Sequence, residues 1–177
     1  MDRSRLLPVL PVVLVLLSGC RSDDLGGDEI PLPTGESLGE MRRQATGALA
    51  RYDQAAAAAR PSASAHVEPP PWDANNPPPG MSIERANGPR SGSRLTVTFT
   101  GTQRPATEPC GADYYAEAVE STRAVVVIVI AQPHAANEIC TLAGFTRTAT
   151  LNLARPLGER AVLEARQGMP VPVDPLP

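Results

Sequence analysis

Cys20, Cys110 and Cys140 are the only thiols of the 177-residue chain, and His66 and His134 its only imidazoles. So small a set narrows the chemistry. Thiols can hold a soft metal or exchange disulfides, but there is no CxxC, and no ligand cluster at zinc spacing surrounds any cysteine. Asp113 lies close to Cys110 in sequence, while His134 and Glu138 share the loop that ends at Cys140. These three form an acid–base or metal cluster only if the fold brings them within hydrogen-bond reach. No HExxH and no GxSxG occurs, so neither a metalloprotease helix nor a serine nucleophile elbow is present. Tyr114 and Tyr115 offer a stacking platform for a sugar or peptide, although adjacent residues of a strand point to opposite faces and one would then turn inward. The candidates for ligand binding are therefore Tyr114, Tyr115 and His134. No catalytic residue, metal ligand or cofactor is assigned.

The elements that must position these groups lie mostly in the C-terminal half. Leu95, Val97 and Phe99 alternate with threonines, which predicts a strand over residues 94–100 with its apolar face inward. A second strand is expected over 113–120. Residues 124–131 are apolar and β-branched on both faces, as in a central strand covered on two sides. Phe145, Arg147, Ala149, Leu151 and Leu153 alternate with Thr146, Thr148, Thr150 and Asn152 in a fourth, and the outward threonine rows read as a solvated sheet face. Two short strands, near 161–165 and 169–173, are joined through Arg166-Gln167-Gly168, where Gly168 can supply a positive φ. About six strands without interleaved helix imply a small antiparallel sandwich or partly open barrel over residues 93–177.

Upstream, Ser37-x-x-Glu40 forms a capping box, and Leu38, Met41, Ala45, Leu49, Tyr52 and Ala56 recur every three or four residues. A helix over 37–59 follows. Its stripe is thin and rich in alanine, which leaves open whether it docks on the β domain, pairs with another chain or stands as a spacer. Eight prolines between Pro61 and Gly92 predict a Pro-rich linker over 60–92, extended and semi-rigid, with Trp72 inside it.

At the N-terminus, Arg3 and Arg5 precede an apolar run from Leu6 to Leu17, then Ser18, Gly19 and Cys20. That order is the layout of an export signal over residues 1–19, and a run of about a dozen residues holding Pro8 and Pro11 is too short to span a bilayer. Leu17-Ser18-Gly19-Cys20 resembles the lipobox of bacterial lipoprotein precursors. The resemblance implies cleavage before Cys20, a diacylglyceryl group on its sulfur, and a lipid-anchored location on the extracytoplasmic face of the cell membrane. Residues 20–36, rich in Asp, Gly and Pro, then read as a flexible tether. With Cys20 lipidated, Cys110 and Cys140 are an even pair in an oxidising compartment, where a disulfide is the expected state. The C-terminal half, with its Thr-alternating strand and Leu153-x-x-Pro156-Leu157-Gly158-x-Arg160, also resembles uncharacterised actinobacterial lipoproteins, a likeness that implies no activity.

Composition agrees with export and disfavours one class of partner. All 16 basic residues are Arg, the bias of a GC-rich genome, and the net charge is −3. Loss of residues 1–19 removes two arginines and Asp2, so the mature chain stands at −4. Phosphate recognition needs a concentrated basic face, so nucleic acid is not an expected partner. The sequence thus points to a non-enzymatic envelope lipoprotein that binds or scaffolds another envelope protein or a wall component. The alternative is a small-ligand receptor or an accessory subunit of a transporter or wall enzyme.

Overall fold

A computed structural model of the chain describes residues 35–59, 67–71, 79–135, 138–141 and 143–174. Cys20, His66, Trp72, the signal and nearly all of the tether lie outside that set. One helix, α1 (Gly35–Ala58), is followed by seven strands: β1 (Ile83–Asn87), β2 (Arg94–Gly101), β3 (Ala112–Glu120), β4 (Ala124–Pro133), β5 (Phe145–Asn152), β6 (Ala161–Glu164) and β7 (Val173–Asp174). They build two facing sheets, β5-β2-β1-β7 and β3-β4-β6, so the domain is the expected β sandwich with one helix before it.

Why β4 is apolar on both faces is now clear. Val125, Val127 and Val129 point into the space between the sheets, where Leu95, Val97, Phe99, Leu151 and Val162 meet them. Ala124, Val126 and Ile128 point the other way, onto Met41, Ala45, Ala48 and Leu49 of α1. The molecule is therefore three layers deep, helix on sheet on sheet, with β4 buried in the middle. Of the three roles open to the helix, docking on the β domain is the one realised. Its small residues let it approach closely: Gly168 has φ of 72°, and a side chain there would run into Ala48.

Polar clamps fix the helix in place. Gln44 Nε2 donates to the carbonyls of Ala165 and Arg166, both at 2.8 Å. Arg42 donates from Nε and Nη2 to the two carboxylate oxygens of Glu117, at 2.8 and 2.7 Å, and the Tyr115 hydroxyl donates to Oε2 at 2.9 Å. The bond from Arg42 holds the Glu117 carboxyl below its ordinary value of 4.5, against its partial burial. Burial, helped by the bond to Glu117, pushes the Tyr115 hydroxyl up. Burial also pushes the Glu120 carboxyl up, but Arg160, the Ala154 N–H and Arg155 together outweigh it, so Glu120 too sits below 4.5.

Both carboxyls bind protons less readily folded than unfolded, so their contribution is present above the unfolded value and is lost as pH falls through the lowered ones. The thermal midpoint, followed by circular dichroism, should be level from about pH 7 to 5 and decline below about 4.5. Glu117→Gln should flatten part of that decline. A midpoint that rose on acidification would contradict the sign.

Two features depart from the sequence reading. Residues 83–87 fall inside the expected Pro-rich linker, yet β1 is an interior strand, antiparallel to β2 and parallel to β7. Its five residues contain no proline, and the register shifts between Ile83 and Arg85, so the inward residues Ile83 and Ala86 are three apart rather than two. The bulge hides the alternation. Secondly, the sandwich is not wholly antiparallel: β4 pairs parallel with β6, as β1 does with β7. A parallel pair needs a crossover. Here β5, in the opposite sheet, carries the chain between β4 and β6. The turn through Gly168 does form, with Glu164 N–H donating to Met169 O and Val171 N–H to Val162 O, before the chain leaves for β7 in the other sheet.

Candidate functional site

At one end of the sandwich the segment from β2 to β3 and the segment from β4 to β5 meet and are joined covalently. Cys110 and Cys140 form a disulfide with Cα atoms 5.6 Å apart. Beneath it lies an open groove of about 870 Å³, lined by Met81, Tyr114, Ala131, Pro133, Ile139 and Phe145 among others. Its wall is mostly apolar. Among the described residues the large hydrophobic side chains classed as exposed are two, Ile139, fully exposed, and Phe145, 38% exposed, and both line this groove.

The sequence candidates separate here. Tyr114 turns toward the core, its ring centroid 4.8 Å from that of Phe99, with the Arg147 guanidinium 5.6 Å above it. Its hydroxyl accepts the Thr102 N–H at 2.6 Å. Gly101 allows this close approach, because a Cβ there would collide with the tyrosine hydroxyl. Tyr115 points to the opposite face, into the Arg42–Glu117 clamp, so the two tyrosines do not form one platform. Of the pair, Tyr114 lines the groove.

Asp113, His134 and Glu138 are close together but are bonded to backbone rather than to one another. Asp113 Oδ1 accepts the Ala106 N–H at 3.2 Å, and His134 Nδ1 donates to Ala106 O at 2.6 Å. Glu138 Oε2 accepts the Cys110 N–H at 2.7 Å. His134 Nε2 and Glu138 Oε1 are 3.9 Å apart, beyond hydrogen-bond reach. Their common work is to pin the chain between β2 and β3, which must satisfy its polar backbone without sheet partners. Donor atoms of Cys110, Glu138 and Cys140 lie within 4.8 Å of one another. Both sulfurs, however, are joined to each other, which removes the thiolates that a metal would take.

Ile139 and Phe145 are the groove residues that the sequence reading missed. Ile139 lies between Glu138 and Cys140 in no periodic pattern, and Phe145 fits the inward row of its strand by alternation alone. The sole hint for Phe145 was its place as the first residue of β5, where the sheet ends and the groove opens. Comparison with family models, with curated proteins and with solved structures found no match to this chain. Among the described residues, no helix is long and apolar enough to cross a membrane.

Proposed function

We propose that this chain is a membrane-anchored extracytoplasmic lipoprotein whose β domain is a non-enzymatic binding or scaffolding module of the cell envelope. The observation that carries the reading is the sequence Leu17-Ser18-Gly19-Cys20 behind a short apolar run with arginines before it. Two further facts support it. Cys110 and Cys140 are paired, so Cys20 is the one cysteine left for lipid. Asp113, His134 and Glu138, the best candidates for acid–base chemistry, are committed to holding backbone.

Substitution Cys20→Ala tests the anchor. The parent protein should sediment with membranes and enter solution only with detergent, and mass spectrometry should find a diacylglyceryl group on its first residue. The variant should be released to the soluble fraction outside the cytoplasm, since two acyl chains hold a protein where its polar surface does not. Retention of the variant in the membrane fraction would refute the proposal. The groove favours a second reading, a receptor for a small apolar ligand, because pockets of roughly 300–1,000 Å³ with apolar walls suit such molecules. Native mass spectrometry separates the readings: a receptor carries one bound molecule per chain when extracted from its membrane, and a scaffold carries none.

A further inference from the structure

The direction of α1 decides which end of the domain meets the anchor. The Met41 side chain lies against Gly80 beside the Val129 carbonyl, and the Ser121 hydroxyl donates to Asp53 Oδ1 at 3.1 Å. Between these points the helix runs antiparallel to β4, so its first turn lies toward Pro133 and the disulfide. Gly35, six residues before Met41, is about 9 Å further in that direction. The 15 residues from Cys20 to Gly35 would reach about 19–23 Å if flexible. Gly35, where the described chain begins, thus lies toward the same end of the sandwich as Ile139, Phe145 and the apolar groove.

We propose that this end is a membrane-contact face: Ile139 and Phe145 enter the interfacial zone of the bilayer, and the groove opens onto lipid. The proposal rests on Cys20 being lipidated. Charge at this end is compatible with contact to a polar headgroup layer, because part of it is offset internally, Arg104 and Glu108 lying 3.7 Å apart and the Asp113 and Glu138 carboxylates accepting the Ala106 and Cys110 N–H groups. The size of the patch also favours lipid over a protein partner. A stable protein interface covers roughly 800 Å² on each side, whereas a domain already held at the surface gains from even two apolar side chains, since their insertion is intramolecular. Phe, with its apolar ring, is among the residues that bury at the headgroup boundary.

The test uses full-length lipidated protein in vesicles of phosphatidylcholine and phosphatidylglycerol whose acyl chains carry bromine, a contact quencher of tryptophan. Trp72, the single tryptophan, is replaced by Phe, and a reporter is placed by Ile139→Trp or, at the opposite end in the β3–β4 turn, by Thr122→Trp; thermal unfolding checks that each variant folds. The Ile139→Trp reporter should be quenched at least about twofold more than the Thr122→Trp reporter, as expected for a side chain at the acyl boundary. Equal quenching, or none, in protein whose Cys20 lipid is confirmed by mass spectrometry overturns the contact face while leaving the anchor intact. An unmodified Cys20 overturns the anchor and this proposal with it. A reporter at position 139 that is shielded from bromine by a co-purifying protein assigns the face to a protein partner and also overturns it.

Discussion

Replacing Cys110 and Cys140 together by Ser should lower the unfolding free energy by about 3–4 kcal/mol, the loop-closure value for a bridge spanning 30 residues. The bridge sits at the periphery, with Cys140 exposed and Cys110 half-buried, so its removal opens no cavity between the sheets. Its effect therefore falls on the unfolded chain, which regains freedom over residues 110–140, the stretch that holds β3 and β4. For a marginally stable domain this is a large fraction of the total. Urea unfolding followed by circular dichroism should show an earlier midpoint and an unchanged native spectrum. The native protein should also resist thiol labelling at both positions until it is reduced. Immediate labelling, or a loss below about 1 kcal/mol, would mean that the bridge does not constrain the unfolded ensemble as the chain-entropy account requires.

What could be read from the sequence, and what could not, divides on the range of the interactions. The strands with a clean period of two were legible because their periodicity is local: Leu95, Val97 and Phe99 are all fully buried, as alternation demands. The apolar run of β4 announced two covered faces but not their covers. That one cover would be α1 depends on Ala45 and Ala48, residues too small to signal burial by hydrophobicity yet small enough for a helix backbone to sit close to Val126 and Ile128. β1 was masked by its proline-rich flanks and its bulge. The parallel ladders were illegible because a crossover through the opposite sheet leaves no local mark. At the candidate site the cysteine pairing could be inferred from arithmetic, whereas the groove could not, since Met81, Tyr114, Ile139 and Phe145 come from four separate segments that only the fold assembles. Asp113, His134 and Glu138 looked like chemistry because residue type alone cannot tell a catalytic carboxylate from one that caps a loop.

The same distinction explains the motif Leu153-x-x-Pro156-Leu157-Gly158-x-Arg160, and it yields the second large effect. Arg160 is buried, 6% exposed, and its guanidinium donates to the carbonyls of Arg155, Pro156 and Leu157 at 2.8, 2.9 and 3.2 Å as well as to Glu120. Glu120 in turn accepts the Ala154 N–H at 2.7 Å, and Arg90 donates to the carbonyls of Gly158 and Arg160. Leu153 and Leu157 enter the core between the sheets, and Gly158, at φ of 56°, takes a conformation that other residues resist. The motif is thus a turn folded around its own arginine, which delivers the chain from β5 back to β6 at the end of the sandwich that holds the β3–β4 turn. Arg160→Met keeps most of the stem volume but strips the Arg155 and Pro156 carbonyls and a part-buried carboxylate of their guanidinium donor, and leaves Leu157 O with the Arg160 backbone N–H alone. Removing one partner of such a pair costs about 3–5 kcal/mol when fully buried, and the partial exposure of Glu120 places the expected loss near the lower bound, about 3 kcal/mol. Combining Arg160→Met with Glu120→Gln should cost clearly less than the sum of the two, because the second change removes the charge that the first leaves stranded. Additive losses in that double-mutant cycle, measured by denaturant unfolding, would show that Arg160 works through its backbone bonds alone and that its ion pair with Glu120 contributes nothing to the turn.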